Sequence, residues 1–371
     1  MPLTDEQRAL RDAVRTLLAR QQRRSPGAEP GHDRGYDESL WKRLCGEIGV
    51  AGLALPERYG GAGAGPIETH IVAAELGRHL TPSPLLGSAV LAAQALLATG
   101  DTAAGQRLLP GIADGTAIAA LAWTEAAGQW DPGQVAVRAA GDDGDGGGWV
   151  LDGTAHHVLD GHAADMLLVA ARAPDGIRLF QVDPQHRGVT RSAMTAMDTT
   201  RQFATVRLAS APGQPIGNGA AATALARARD LACVALSAEQ VGAAERALEL
   251  TVDYAKVRVQ FGRPIGGFQA LQHRMADLHV LVESARSVSY AAASAAAEGA
   301  ADLGLRAAAA KVYCSETLVR VAGEMIQLHG AIGITWEHDA HRYFKRAHGA
   351  AQLFGPPSGH VARIAAALID R

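Results

Sequence analysis

Residues 254–272 read Tyr-Ala-Lys-Val-Arg-Val-Gln-Phe-Gly-Arg-Pro-Ile-Gly-Gly-Phe-Gln-Ala-Leu-Gln, and they join two long helical patterns. The first pattern covers 222–257 and the second covers 268–298, and both are rich in alanine. A third helical pattern, 301–329, runs into a second distinctive stretch, 327–338, which reads Gln-Leu-His-Gly-Ala-Ile-Gly-Ile-Thr-Trp-Glu-His. Because these helices exceed the usual length in globular proteins, they predict a bundle, and one that subunits of an oligomer can share.

Upstream of the bundle the hydrophobic period changes twice. Residues 118–212 show short strand-like runs without helical insertions, which predicts an antiparallel β-barrel or sandwich containing a hairpin with a long loop at 141–148. Residues 1–117 have helical spacing. The predicted fold class is therefore α+β, with an N-terminal α-helical domain at 1–117, a central β domain at 118–212 and a C-terminal helical bundle at 213–371. The predicted elements are helices at 4–20, 40–48, 68–97 and 102–109, strands at 135–137, 149–151, 166–171, 177–182 and 205–208, a linker at 212–219 and a last helical segment from 338.

Composition narrows the class of protein. The 371 residues carry 35 Lys and Arg against 38 Asp and Glu, and a net charge of -3 gives no basic footprint for nucleic acid. Three cysteines leave one unpaired in any disulfide scheme, which favours a reducing compartment. The longest apolar stretch, 85–97, is too short to span a bilayer. The sequence predicts a cytoplasmic protein without a membrane span or a nucleic-acid partner.

Several local motifs have ordinary explanations. The glycines at 60–65 lack the preceding strand of a dinucleotide fingerprint, so they indicate a turn. His156 and His157 are neighbours in a predicted strand and point to opposite faces, so they cannot both bind a metal without a bulge. Cys233 and Cys314 lie in Ala-rich helices and behave as small apolar residues. We predict no metal site.

The two quoted stretches together closely resemble the acyl-CoA dehydrogenase family. Further matches are Trp-Lys-Arg-Leu at 41–44, Gly-Leu-Ala-Leu-Pro-Glu-Arg-Tyr-Gly-Gly at 52–61 and Leu-Asp-Gly-Thr at 151–154. The resemblance covers nearly the whole chain in order and implies that family's three-part fold with a four-helix bundle. It also implies FAD-dependent α,β-dehydrogenation of an acyl thioester, carried by CoA or by a carrier protein, in a dimer or tetramer of homologous chains that share each FAD.

The resemblance also implies which residues contact FAD. The arginine matching Arg258 meets the flavin pyrophosphate of the neighbouring chain, and a guanidinium fork suits a diphosphate. The ring matching Phe261 packs near the adenine, and the 327–333 segment brings backbone close to the ADP part, although Ala331 stands where a second glycine is usual. The residues expected to bind the cofactor are Arg258, Phe261, Phe268, Gln269, Gln327, Gly330, Ala331 and Thr124.

The positions that should form this chain's own flavin pocket are altered. Trp130 replaces a small hydroxyl residue, and His157-Val158-Leu159 replaces the family's Trp-Ile-Thr or Trp-Ile-Ser against the isoalloxazine. The usual catalytic glutamate is matched by Phe354.

The catalytic residue is therefore unknown from the sequence. In members that place the base on the first bundle helix, the matching residue is Ala232, and Asp230 lies on the opposite side of that helix. The remaining candidates are Glu239 and Glu337.

Three hypotheses follow. The leading one is a non-catalytic or half-site subunit of a heteromeric acyl-CoA dehydrogenase, in which a partner supplies the base and the isoalloxazine pocket. The second is a homo-oligomeric dehydrogenase with a substituted base. The third is a flavin-free descendant of the fold that binds acyl thioesters or uses His156 or His157 in non-redox chemistry.

Overall fold

The computed structural model describes residues 3–24, 34–141, 148–217, 219 and 221–369. The chain divides into two compact units, each made of two segments. The first unit is Met1–Thr69 with Pro82–Ala232, and the second is His70–Thr81 with Cys233–Arg371. The predicted limits of the three domains stay a prediction. No described helix combines the length and the apolar character that crossing a bilayer requires.

The helices that precede the sheet include irregular stretches. Asp37 caps α2 (Glu38–Arg43) by accepting hydrogen bonds from the backbone N–H groups of Ser39 and Leu40, at 2.9 and 3.0 Å. Two π-helical stretches, Leu44–Ile48 and Leu85–Ala92, continue into regular helix or turn, and π-helix is rare outside functional or strained sites. The helices are α1 (Asp5–Arg24), α2 (Glu38–Arg43), α3 (Pro66–Arg78), α4 (Ala93–Ala98) and α5 (Thr102–Ala113).

The β region closes on itself. The pairings run from β4 through β2, β3, β7 and β5 and return to β4, which makes a barrel around a core of small and branched apolar side chains. Most pairs are antiparallel, but β1 and β4 run parallel, as does the contact of β2 with β4. The strands are β1 (Ala119–Ala122), β2 (Arg138–Gly141), β3 (Trp149–Leu159), β4 (Met166–Ala173), β5 (Gly176–Val182), β6 (Val189–Met194) and β7 (Phe203–Ile216).

The C-terminal region is a bundle of long helices. Its core contains Leu278, Val282, Leu318, Val321 and Met325, all of which are buried. A small two-stranded hairpin follows α6 (Ala221–Val257) directly and lies within the stretch 254–272. The elements are α6 (Ala221–Val257), β8 (Val259–Gln260), β9 (Arg263–Pro264), α7 (Gln269–Glu298), α8 (Leu303–His329), α9 (Ala340–Gln352) and α10 (Pro357–Ile369).

Some predicted boundaries were wrong. The helix predicted at 68–97 is interrupted after Arg78, where Pro82 and Pro84 prevent regular helix. The linker predicted at 212–219 begins inside β7, which continues to Ile216, and residues 218 and 220 lie outside the described residues. The strand predicted at 135–137 was also misplaced, since the strand begins at Arg138. Residues 142–147 of the predicted hairpin loop lie outside the described residues, and the strands on both sides of them, β2 and β3, pair antiparallel.

Candidate functional site

Thr124 follows β1 and lies just before a tight turn, which the backbone N–H of Gly128 closes by donating to the carbonyl of Glu125 at 3.1 Å. Thr124 is buried, and its carbonyl accepts a hydrogen bond of 2.8 Å from the backbone N–H of His156. The carboxylate of Glu125 accepts hydrogen bonds from the backbone N–H groups of Ala127 and Gln129. The Glu125 carboxylate therefore stabilises the turn, because both of its oxygens accept hydrogen bonds from backbone N–H groups of the turn.

Trp130 fills the space next to this turn. Its side chain is 4% exposed, and its ring meets Trp123 edge-on, with ring centroids 5.9 Å apart. Trp130 holds a left-handed backbone conformation with φ of 56°, which is unfavourable for a bulky residue. The indole N–H of Trp123 is buried and has no hydrogen-bond partner among the described residues. An apolar pair of indoles thus occupies the position where the resemblance expects a small hydroxyl residue.

The strand that carries the two histidines does contain a bulge. The register of β3 against β7 shifts between Ala155 and Val158, and His157 has a φ of 53°. The rings of His156 and His157 lie 6.3 Å apart. Burial lowers the pKa of His157, and its Nδ1 is buried without a hydrogen-bond partner in the described part of the chain. Across the described ranges, no three His, Cys, Asp or Glu side chains form a group that fits a metal ion.

The hairpin after α6 presents an exposed aromatic ring. Phe261 and Gly262 form its turn with φ of 52° and 78°, and the Phe261 side chain is 92% exposed. The Arg263 guanidinium lies 4.1 Å from the centre of the Phe268 ring, a cation–π contact that braces the turn. The backbone N–H of Ile265 donates to the carbonyl of Arg258 at 2.8 Å. The two cofactor candidates at this tip, Arg258 and Phe261, are both exposed to solvent.

The glycine segment after α8 is open on one side. Gly330 has φ of 63° and ψ of -144°, a conformation that essentially requires glycine, and the space next to its Cα is empty. Gln327 and Ala331 are exposed on either side of it. Gln269, the first residue of α7, is exposed as well. The backbone of this segment is thus accessible to a ligand, and the alanine at 331 does not block it.

Aromatic rings that the sequence did not single out connect these two segments. Tyr254 stacks on His329 with ring centroids 4.4 Å apart, and His338 packs on His329 at 4.3 Å. The stack brings the end of α6 to the end of α8. The only signal in the sequence is spacing, since Tyr254 lies four residues before Arg258 and His329 lies directly before Gly330.

The position of the usual base is closed. Phe354 is 1% exposed and has φ of 62°, and its carbonyl accepts a hydrogen bond of 3.0 Å from Nε2 of the buried His360. The buried ammonium of Lys311 donates to the carbonyl of Ala351 at 2.8 Å, which ties down the end of α9 just before this turn.

Each of the alternative carboxylates is either paired with a cation or exposed to solvent. Glu239 forms a buried ion pair with Arg346. Glu337 is exposed to solvent. Asp230 is paired with Arg229 at 3.3 Å, and Ala232 has no functional group.

FAD, the cofactor that the resemblance implies, fits one of the two surfaces described. The open backbone at Gly330 and the exposed Arg258 suit a phosphate-bearing nucleotide. The β domain does not suit an isoalloxazine ring at Trp130, because a buried indole already fills that position.

Two family models match the chain. They describe the acyl-CoA dehydrogenase N-terminal domain, over residues 4–116, and the acyl-CoA dehydrogenase C-terminal domain, over residues 217–369. The chain is 42% identical to acyl-CoA dehydrogenase IpdE2 of Mycobacterium tuberculosis over 97% of this chain and 96% of that protein.

Solved structures agree with these matches. A variant of the Tcur3481-Tcur3483 steroid ACAD is 33% identical, with a TM-score of 0.86 over 99% of this chain and 98% of that one. The ChsE4-ChsE5 complex from Mycobacterium tuberculosis is 30% identical, with a TM-score of 0.88 over 100% and 99% of the two chains. With its N-terminal helices, β-rich centre and C-terminal bundle, the chain belongs to the acyl-CoA dehydrogenase family.

Proposed function

We propose that the chain is a half-site subunit of a heteromeric FAD-dependent acyl-CoA dehydrogenase. In this assembly a homologous partner carries the catalytic carboxylate and the isoalloxazine pocket. This chain supplies the arginine and the aromatic ring that complete the nucleotide end of the partner's cofactor site. The substrate class is an acyl thioester of CoA or of a carrier protein, and the location is the cytoplasm.

A contrast between two aromatic side chains carries the proposal. Trp130 is 4% exposed at the position that should admit this chain's own flavin, whereas Phe261 is 92% exposed on the hairpin that should reach a neighbour. An exposed, conformationally strained aromatic residue next to Arg258 is costly for an isolated subunit and useful for a shared site. The part of the site used by another chain is thus retained, and the part used by this chain is lost.

The chemistry of the family explains why a partner is needed. The reaction requires a carboxylate to remove the α-proton of the thioester, and FAD, when bound, accepts the β-hydride. At the position of that carboxylate this chain has Phe354, a buried phenyl ring that cannot accept a proton. Two related structures, Tcur3481-Tcur3483 and ChsE4-ChsE5, have names that pair two proteins, which supports a heteromeric assembly here.

The experiment compares the chain purified alone with the chain co-expressed with homologous acyl-CoA dehydrogenase chains of its source organism. We expect the chain alone to be colourless and inactive, and the mixed complex to hold FAD in a smaller amount than one per chain. Arg258→Met in this chain should weaken FAD binding by the complex, while Lys256→Met, at a cation on the same helix end, serves as the matched control.

Two outcomes would overturn the proposal. Stoichiometric flavin and dehydrogenase activity in the chain alone would favour the homo-oligomeric enzyme. Loss of that activity in Glu337→Gln, or in a Glu239→Gln protein that urea denaturation shows to be still folded, would identify its base. A chain that binds acyl thioesters but acquires no flavin with any partner would favour the flavin-free alternative.

A further inference from the structure

Three stacked rings connect three separate elements of the bundle. Tyr254 on α6 stacks on His329, the last residue of α8, with an interplanar angle of 25°. His338, from the segment that leads into α9, packs on the same imidazole at 43° and accepts a hydrogen bond of 3.1 Å from the backbone N–H of Ala340. We call Tyr254, His329 and His338 the ring column.

The central imidazole is fixed in one tautomer. Its Nδ1 lies 2.7 Å from the carbonyl oxygen of Met325, and because a carbonyl only accepts, Nδ1 carries the proton. Its Nε2 is then a bare acceptor, and this atom is buried without a hydrogen-bond partner among the residues described. The His329 side chain is 3% exposed. Because so little of the ring is exposed, a role in packing and registration fits it better than direct contact with a ligand.

The ring column joins the two surfaces that suit a nucleotide. The carbonyl of Tyr254 accepts from the backbone N–H of Arg258 at 2.9 Å, so the stacked tyrosine lies one helical turn before the hairpin. His329 precedes Gly330 directly, and its carbonyl accepts from the Tyr254 hydroxyl at 3.4 Å. A shift of the His329 ring would therefore move the guanidinium and the open glycine backbone relative to each other.

We propose that His329 is a positioning residue that holds the Arg258 hairpin and the Gly330 segment in register for the nucleotide part of one FAD. The inference rests on the proposed function, since it concerns the same shared cofactor. It goes further by assigning cofactor retention to a residue that does not touch the cofactor.

The ring column also makes this registration sensitive to pH. Around the His329 ring, α6 contributes the Tyr254 phenol, α8 the Met325 carbonyl, and the segment before α9 the His338 imidazole with Asp339 next to it. The turn after His329 has no titratable side chain over Gly330–Ile334. Burial lowers the pKa of both imidazoles. The His338 ring lowers the pKa of His329 further, while the Met325 carbonyl works against this shift. Acid would place a charge on buried Nε2 and loosen the stack.

The test measures the dissociation constant of FAD for the assembled complex, from the fluorescence of released flavin, between about pH 8 and about pH 5.5. His329→Leu removes the stacking ring, and His329→Phe keeps a ring but removes its titration. His279→Phe, at an exposed histidine of α7, is the matched control.

At pH 8 we expect His329→Leu to weaken FAD binding about tenfold and His329→Phe to bind FAD like the wild type. On acidification the wild type and the control should lose affinity severalfold more than His329→Phe does. The inference is overturned when His329→Phe and the wild type share one pH profile, or when His329→Leu binds FAD like the wild type.

If His329→Leu does not assemble, the comparison of His329→Phe with the wild type still decides the question. A failure of the proposed function is distinguishable, because then no complex forms or the chain binds FAD alone. A complex that binds FAD but shows no dependence on His329 contradicts only the present inference.

Discussion

Gly77 and Gly242 lie where the backbones of α3 and α6 touch. A Cβ atom on Gly77 would lie 2.0 Å from the carbonyl oxygen of Glu239, and a Cβ atom on Gly242 would lie 1.9 Å from that of Ala74. Both contacts are with helix backbone, which cannot move aside as the end of a flexible side chain can. The crossing therefore depends on glycine from both helices.

Replacing either glycine with alanine should force the two helices apart. We expect Gly77→Ala and Gly242→Ala each to lower the free energy of unfolding by about 3 kcal/mol or more, as measured by urea denaturation. Gly323→Ala is the control, because that helical glycine has open space around its Cα. The control should gain up to about 1 kcal/mol from the helix propensity of alanine. Equal behaviour of the three variants would contradict this account.

The sequence predicted the long helices well and the interruptions poorly. The Ala-rich patterns of α6, α7 and α8 gave their limits to within a few residues, because period and composition agree over many turns. β1 was missed because all four of its residues, Ala119–Ala122, are buried, so no alternation marks the strand. The π-helical stretch at Leu85–Ala92 has no recognised sequence signal.

In the candidate site, too, residues in continuous motifs were predicted from the sequence and contacts between distant residues were not. The family resemblance points to Arg258, Phe261 and Gly330 as cofactor residues, because each belongs to a continuous motif, and their role stays a prediction. The stacking of Tyr254 on His329 joins residues 75 positions apart, and no local pattern encodes such a pair. The sequence indicated a bulge at His157 only as a condition for metal binding. A bulge is defined by the residues that face it on the partner strand, and the sequence of β3 alone does not give that pairing.

The ion pair between Glu239 and Arg346 provides a second prediction. Their side chains are 12% and 4% exposed, so each charge is largely removed from water. Removing one member of a buried pair leaves the other charge in a poor environment, and Glu239→Gln should cost about 3 to 5 kcal/mol of unfolding free energy. The double variant Glu239→Leu with Arg346→Met should recover most of that loss. If Glu239→Gln leaves the urea midpoint unchanged, the pair does not stabilise the bundle.

His70 should make the bundle sensitive to acid. Its Nε2 lies 2.8 Å from the hydroxyl of Ser289, which in turn lies 2.7 Å from the hydroxyl of Ser237. Burial, with a smaller contribution from Arg286, lowers the pKa of His70 to about 4. The fold thus holds a neutral imidazole, while the unfolded chain binds a proton below its usual pKa of about 6.5.

The contribution of His70 is therefore fully present above about pH 6.5 and is lost as the pH falls toward 4, by roughly 3 kcal/mol in total. His70→Gln keeps a hydrogen-bonding group for Ser289 but does not titrate. Urea denaturation over this pH range should show a shallower loss of stability for His70→Gln than for the wild type. Parallel curves would mean that the imidazole is not held neutral.

Asp160 should act in the opposite direction, in the unit that contains the β-barrel. It follows the bulged end of β3 with φ of 55°, and a Cβ on Gly87 would come within 2.6 Å of its Oδ2, so the carboxyl packs on bare helix backbone. Burial raises the pKa of Asp160 to about 7, although the charge of Arg201 works against this rise. In the unfolded chain the pKa of an aspartate is about 3.9. Between these two pKa values the folded protein therefore binds a proton at Asp160 that the unfolded chain has lost.

The stability linked to Asp160 is thus present at low pH and is lost as the pH rises from about 4 through 7. Asp160→Asn resembles the protonated side chain at every pH, so the variant should exceed the wild type at pH 8 by up to roughly 4 kcal/mol and match it near pH 4. Asp175→Asn, at a carboxylate that accepts hydrogen bonds from Arg178 on the surface, should bring no such gain. Urea midpoints at the two pH values decide between these outcomes. If Asp160→Asn is no more stable than the wild type at pH 8, burial does not raise the pKa of the Asp160 carboxyl.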